Sequence, residues 1–300
     1  MGKANRKGQG TRSKIQTEVS GVKGQGNKPV AIQGYEGSFH QVAARIFHGK
    51  DVEILPCATF VDLIRESSNK KNTRGGVMAI ENSIAGSIMP NYNLIQKSNL
   101  FVAGEVYLQI NQNLLVNPGV KLEDIKEVHS HPMALQQCLG YLTKFPWKLI
   151  ETEDTALSAK QIHQRNSKHI AAIASELAAE LFDLKMIAPK IHDVKDNYTR
   201  FLILEQHEVE VMNANKASIN FHTDHSQGSL AKVLTIIAKE GINLSKLQSF
   251  PIAGSRFNYG FHADLEFDDI HQFQQVKKKI SSATKYIRVL GVYKKGKYNL

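Results

Sequence analysis

The chain has 300 residues, 42% of them apolar, and a formal charge of +10; that length allows a sizeable core and suggests two domains, at roughly 150 residues each. No apolar run approaches the ~20 residues of a membrane-spanning helix, and the basic N-terminus MGKANRKGQGTRSKIQ lacks the apolar segment of a secretory signal. The charge sits at the ends, in Lys3, Arg6, Lys7, Arg12, Lys14, Lys23 and Lys28 and in Lys294, Lys295 and Lys297, so the folded body is nearly neutral and offers no basic face to a nucleic-acid backbone.

Residues 1–28, with six glycines and few large apolar side chains, are expected to form a disordered basic tail. A tail that meets RNA is the alternative to a solvated leader. The fold opens at KPVAIQGYEGSF, a strand feeding a glycine-rich turn. In SFHQVAARIF the residues Phe39, Val42, Ala43, Ile46 and Phe47 recur at helical spacing. Strand, turn and helix then repeat: VEILP and TFVDLIRES, GGVMAIENS as a buried strand running into a polar loop, and EVHSHPMALQQCLGYL with Pro132 fit for a first helical turn. NLFVAGEVYLQINQNLLVN is strand-rich and is expected to cross to a second lobe. ETEDTALSAKQIHQ and ASELAAELFDL read as helices, the first capped by Asp154 or Thr155. Residues 29–207 thus form one α/β unit. Cys57 and Cys138 are far apart and form no C-x-x-C pair, consistent with idle thiols in a reducing compartment.

After the polar join EQHEVEVMNANK the style changes. ASINFHT alternates, and GSLAKVLTIIAKEGIN puts Leu230, Val233, Leu234, Ile237 and Ala238 on one helical face. RFNYGFHADLEF sets Phe257, Tyr259, Phe261, Ala263, Leu265 and Phe267 against Asn258, Gly260, His262, Asp264, Glu266 and Asp268, the signature of a half-buried antiparallel strand. IHQFQQVKKKI and YIRVLGVY complete a strand–helix–strand–strand–helix–strand plan, the ferredoxin-like α+β arrangement. Such modules commonly pair edge to edge, so a homodimer or homotetramer is expected.

Four segments, GYEGSF, IENSIAGSI, HSHPMALQQ and EDTALSA, put small or hydroxyl residues at strand-to-helix turns. Free N–H groups make such turns anion sites. Each alone reads equally as a helix cap. Together with Arg200 they suggest a cleft for a small molecule bearing more than one carboxylate. In DNYTRF, Thr199 and Arg200 are strand neighbours and point to opposite faces, so both can meet one ligand only near a strand end. No G-x-G-x-x-G, P-loop or G-x-S-x-G is present, and His129 and His131 lack a third close ligand, so no metal site is expected. Glu81, at the end of VMAI, is either a solvated carboxylate or a positioned one beside Asn82.

In this order and spacing, GYEGSF, ENSIAG, SHPMALQQC, DTALSA and NYTRF resemble the motifs of prephenate dehydratase, and the C-terminal module resembles the ACT domain that family carries. The resemblance covers roughly residues 29–295. It implies an α/β, two-lobed catalytic domain like type II periplasmic-binding proteins over 29–207, followed by a ferredoxin-like ACT domain over 216–295. It implies a cytoplasmic lyase of phenylalanine biosynthesis, without metal or organic cofactor, that turns prephenate into phenylpyruvate. Arg200 would anchor a substrate carboxylate and Thr199 would contact the departing hydroxyl. Glu81 would be a second candidate for the acid. Asn82, Ser38, Ser83, Ser130, Gln137, Thr155, Asn197 and Phe201 match further substrate contacts.

The sequence departs from the family in places. The G-P-x-G turn is GYEG, with Tyr35 for proline. In the ACT module G-A-L is Gly228–Ser229–Leu230, and E-S-R-P is Gln248–Ser249–Phe250–Pro251. This region binds inhibitory phenylalanine in the family, so phenylalanine sensing is expected here. The rival readings are arogenate dehydratase and a non-catalytic two-lobed amino-acid or solute sensor.

Overall fold

The computed structural model describes residues 28–252 and 258–299. Apart from Lys28, the expected basic tail lies outside the described residues. In chain order the first lobe contains β1 (Val30–Gln33), α1 (Phe39–His48), β2 (Ile54–Cys57), α2 (Phe60–Ser68), β3 (Gly75–Asn82), β4 (Gly86–Ser87), α3 (Met89–Lys97) and β5 (Phe101–Gln109). The second lobe holds β6 (Asn113–Val116), β7 (Glu127–Ser130), α4 (Pro132–Gln137), α5 (Leu139–Leu142), β8 (Lys148–Glu151), α6 (Thr155–Gln164), β9 (Ile170–Ala174), α7 (Glu176–Leu181) and β10 (Lys185–Ala188). The chain then returns to the first lobe as β11 (Tyr198–Glu205). The C-terminal module is β12 (Lys216–His222), α8 (Ser229–Lys239), β13 (Asn243–Pro251), β14 (Tyr259–Glu266), α9 (Ile270–Ser282) and β15 (Tyr286–Tyr293), and β16 (Tyr298–Asn299) closes the chain.

The first-lobe sheet has the order β16-β5-β11-β3-β1-β2, with β4 on β3. β1 runs parallel to β2 and β3, and β11 is antiparallel to both β3 and β5. The sheet of the other lobe has the order β10-β6-β9-β7-β8. Two segments join the lobes side by side: Ile110 N–H donates to Asn197 O at 2.7 Å, and Ile191 N–H to Gln112 O at 2.8 Å. This is the crossover expected after β5. Short α3, β10 and β16 carry no strong periodic signal in the sequence. The expected caps are present. Ser38 accepts from Gln41 N–H at the start of α1, and Asp154, not Thr155, caps α6.

The module sheet runs β13-β14-β12-β15, all antiparallel, the ferredoxin-like order. Its apolar face packs on α8 and α9 through Ala217, Ile219, Phe221, Val233, Ile237, Ala263, Leu265 and Val276. The alternation in β14 predicts water on the other face, but that face lies on the first lobe. Leu290 and Tyr293 enter the same core cluster as Met78, Ile80, Leu202 and Leu204. At the crossing, Gly291 lies so close to β5 that a Cβ would stand 1.8 Å from Val102 O, so only glycine fits. His262 and Asp264, alternate residues of β14 on the polar side of that pattern, are fully buried there. The chain also does not end with the module: β16 pairs with β5 in the first-lobe sheet, beyond the expected boundary at 295.

Candidate active site

The cleft side of the first lobe is organised where β3 ends and β11 begins. Asn82 and Thr199 face each other across the two strands, and the adjacent pair in register is Glu81 with Arg200. Because side chains alternate, Asn82 and Thr199 face the cleft, whereas Glu81 and Arg200 point to the opposite side of the sheet.

The Asn82 amide is oriented by its own loop. Its Oδ1 accepts from Ile84 N–H at 3.0 Å and Ala85 N–H at 2.9 Å. Its Nδ2 therefore donates outward, to Asn197 Oδ1 at 2.7 Å, Thr199 Oγ1 at 3.0 Å and Tyr198 O at 3.2 Å, three acceptors sharing two hydrogens. With Oγ1 accepting, the hydroxyl hydrogen of Thr199 is left to donate, and no described residue accepts it. Asn197, buried, donates in turn to Gln137 Oε1 at 3.2 Å, at the end of α4 in the other lobe. Gln112, in the crossover, reaches the same oxygen at 3.5 Å. The network Thr199–Asn82–Asn197–Gln137 thus spans both lobes and brings together four of the expected site residues.

A second set of bonds joins the two lobes. Tyr35 Oη donates to Glu153 Oε1 at 2.5 Å, and Ser175 Oγ donates to Gly37 O at 2.5 Å. Gly34 takes φ +92°, and a Cβ there would stand 3.0 Å from Asp154 Oδ2 and 3.5 Å from the Ser38 side chain. Asp154 and Ser38, from different lobes, are therefore neighbours, with Thr155 beside them at the first position of α6. Burial raises the Asp154 carboxyl above its ordinary range, against the N–H groups of Leu157 and Ala156 that favour the charged form. Tyr35, Asp154 and Gln112 are site residues that sequence reasoning passes over. Tyr35 stands where the family pattern has proline, Asp154 reads as a helix cap, and nothing local marks Gln112.

Several expected contacts lie elsewhere. The Arg200 guanidinium is buried on the face away from Thr199. It bonds Asp264 Oδ2 at 2.5 Å, Glu105 Oε2 at 2.7 Å and Tyr293 Oη at 3.2 Å, so the expected substrate anchor is turned to the C-terminal module. Burial works against its charge, but Asp264, Tyr293 and Glu105 outweigh that and raise its pKa further. Burial alone would likewise raise Asp264, yet Arg200, His262 and Lys216 hold it well below the usual carboxylate range. Glu81 is also turned away, paired with Lys246 Nζ of β13 at 2.5 Å. Ser130 is fully buried and donates to Ile173 O at 2.7 Å. Phe201 is a core residue packed edge-on against His40, whose imidazole burial lowers to about 3. Ser83 staples the strand ends, donating to Asp196 O at 3.0 Å while accepting from Tyr198 N–H at 2.9 Å.

In the C-terminal module, Ser229 and Leu230 line a cavity of about 300 Å³ with residues 223–227, Asn258, Tyr259 and Phe261, and Gly228 begins α8 beside it in a left-handed conformation. Gln248, Ser249 and Pro251 lie instead on β13, an edge strand. Phe250 is buried against His222, so it packs the module rather than lining that cavity. Among the described residues no cluster of three potential metal ligands occurs, and no helix is long and apolar enough to cross a membrane. Cys57 and Cys138 are free and buried, and burial raises their thiols to about 11 and about 12.

A family model described as prephenate dehydratase matches residues 30–209. The chain is 37% identical over 277 residues to "Arogenate dehydratase/prephenate dehydratase 2, chloroplastic" of Arabidopsis thaliana, covering 88% of this chain and 72% of that protein. It is 33% identical over 269 residues to a bifunctional chorismate mutase/prephenate dehydratase of Aquifex aeolicus, covering 89% and 73%. Among solved structures it resembles GqqA, described as a novel type of quorum quenching acylase (TM-score 0.81, 28% identity, 89% and 98% covered). A prephenate dehydratase of Arthrobacter aurescens in complex with L-Phe shares the fold (TM-score 0.78, 24% identity, 90% and 91% covered).

Proposed function

The chain belongs to the prephenate dehydratase family, and we propose that it removes water and carbon dioxide from prephenate to give phenylpyruvate, in phenylalanine biosynthesis, with Thr199 as the donor to the departing hydroxyl. The observation that carries this reading is the bond from Asn82 Nδ2 to Thr199 Oγ1, which leaves the threonine hydroxyl hydrogen free to donate. As the ring C–O bond breaks, negative charge builds on the leaving oxygen, and a fixed donor is worth most at that moment. The electron pair of the C–carboxylate bond moves into the ring, carbon dioxide leaves neutral, and one proton is taken up as hydroxide becomes water. Aromatisation drives the step. Threonine is too weak an acid to lose its proton outright, so it relays a hydrogen bond while the proton comes from solvent or a cleft acid.

With Arg200 committed to the module, the substrate carboxylates fall to the N–H ends of α1 and α6, at Ser38 and Thr155, and to the amides of Asn197 and Gln137. Asp154, its carboxyl raised by burial, stands beside Ser38 at the Gly34 turn. An acylase activity such as that named for one structural relative would need an activated nucleophile. Thr199 is partnered by an amide, with no imidazole or carboxylate bonded to it among the described residues, which favours the lyase reading.

The module senses phenylalanine in the cavity beside α8. Its volume of about 300 Å³ is at the lower end of ligand pockets, and apolar Leu230 and Phe261 alternate there with hydroxyl side chains. β13 leaves the outer edge of the module sheet open to another copy of the chain, which supports a homodimer or homotetramer. The test is phenylpyruvate formation by the purified chain from prephenate and, separately, phenylalanine formation from arogenate, each titrated with L-phenylalanine. Phenylpyruvate from prephenate is the expected result. Phenylalanine formed from arogenate alone assigns the relatives' other activity, and no product from either removes the enzyme reading.

A further inference from the structure

The residues next to the reacting pair are gripped by the C-terminal module. Glu81 and Arg200 are cross-strand partners, one residue from Asn82 and Thr199 respectively. On the module side, Lys246 and Asp264 are cross-strand partners of β13 and β14. Lys246 Nζ bonds Glu81 Oε1 at 2.5 Å and Ser87 Oγ at 2.7 Å, while Asp264 Oδ2 bonds Arg200 at 2.5 Å. Further bonds surround them. Lys216 bonds Glu105 at 3.0 Å and Tyr107 Oη at 3.2 Å, and Ser218 bonds Asp264 at 2.5 Å. Two strands of one domain are thus tied, at the residues flanking the cleft pair, to two strands of another.

We propose that Lys246 and Asp264 are positioning residues for the dehydration: they fix Glu81 and Arg200, and through them the spacing of Asn82 and Thr199 on the far side of the same backbone. The physical reason is the strand itself. Its backbone is rigid, so a side chain anchored on one face sets where its neighbour stands on the other. Register slips between Arg200 and Phe201, one residue past the anchored pair, so the sheet is locally irregular where it is clamped. The strand that carries Lys246 also carries Gln248–Pro251, so a shift of β13 would reach the β3 end through the bonds of Lys246 to Glu81 and Ser87. This inference rests on the dehydratase reading above.

The Lys246–Glu81 pair is the place to test it, since it is only half-buried (side chains 15% and 31% exposed) and tolerates replacement better than Arg200–Asp264. Steady-state kinetics with prephenate compare wild type with Lys246→Met, Glu81→Gln, the double variant and Lys246→Arg, with thermal unfolding of each. Lys246→Met is expected to lower kcat roughly tenfold with KM within about twofold. The double variant should be no slower than the worse single one, and Lys246→Arg should keep kcat within about twofold of wild type. Should Lys246→Met unfold, the charge-swapped pair Glu81→Lys with Lys246→Glu supplies the same readout, a kcat restored relative to Glu81→Lys alone. Unchanged kcat in Lys246→Met overturns the proposal. So does a Glu81→Gln loss that adds fully to that of Lys246→Met, because Glu81 would then act on the reaction by itself. An inactive wild type sinks the dehydratase reading instead.

Discussion

Thr199 and Arg200 are adjacent in β11 and serve opposite surfaces: the hydroxyl lies 3.0 Å from Asn82 in the cleft, and the guanidinium 2.5 Å from Asp264 in the C-terminal module. One dipeptide therefore joins the cleft pair to the domain that packs behind it.

Replacing Thr199 by Ala is expected to cut turnover ~10²-fold or more with KM nearly kept, because the lost bond strengthens only as charge builds in the transition state. Thr199→Ser keeps the donor and most of the activity. Phenylpyruvate formation followed over time reads both. Turnover unchanged in Thr199→Ala takes the residue out of the mechanism.

Arg200→Met should act on stability before it acts on substrate binding. It leaves Asp264 without its guanidinium partner in a dry interface, while Glu105 keeps Lys216 at 3.0 Å, a loss of about 3–5 kcal/mol. Adding Asp264→Asn should recover part of that, since the carboxylate left without its partner is gone. Urea unfolding of the single and double variants measures it. If instead the single variant unfolds like wild type and shows a large rise in KM, Arg200 is a substrate anchor after all.

Tyr35→Phe removes the bond to Glu153 that closes the lobes. KM for prephenate is expected to rise about fivefold, with little change in kcat. The Glu153 carboxylate raises the phenol's pKa above its ordinary value of 10, first by hydrogen bonding and then by charge, so the clasp persists through neutral and mildly alkaline pH. An identical KM in the variant shows that the lobes close without it.

Glu205, buried at the end of β11, has its carboxyl raised by desolvation to about 7, with Arg74 acting in the opposite sense. Its folded-state pKa lies above the unfolded value of 4.5, so the folded form holds the proton more tightly. The stability it contributes is complete below pH 4.5 and is lost as pH rises through about 7, a change of about 3 kcal/mol. Glu205→Gln should therefore gain on wild type between pH 5 and 8 in urea unfolding. A difference between the two proteins that does not vary with pH removes Glu205 as the cause.

Much of this is legible in the chain. GYEGSF, SHPMALQQC and DTALSA lie at the expected strand-to-helix turns, whereas ENSIAG turns β3 back into β4 and NYTRF opens β11; Asn82, Asn197, Thr199 and Gln137 do converge on one network. Local signals suffice there because caps, turns and alternating strands depend on residues a few positions apart. They fail where a side chain's partner is remote. Arg200 and Glu81 carry charges at a strand end beside the cleft residues, and sequence spacing cannot tell a ligand from another domain as the counter-charge. Asp264 and His262 alternate with apolar residues just as a solvent face does.

By itself the sequence determined the order of most strands and helices, though not α3, β10 or β16, the change of style near residue 210 and the family of the site, because periodicity and turn chemistry are written within a few residues. Only the tertiary structure decided which face of β14 is dry and which anion meets Arg200. Burial and charge pairing belong to surfaces brought together from opposite ends of the chain: Gly291 against Val102, Asp264 against Arg200, Lys246 against Glu81.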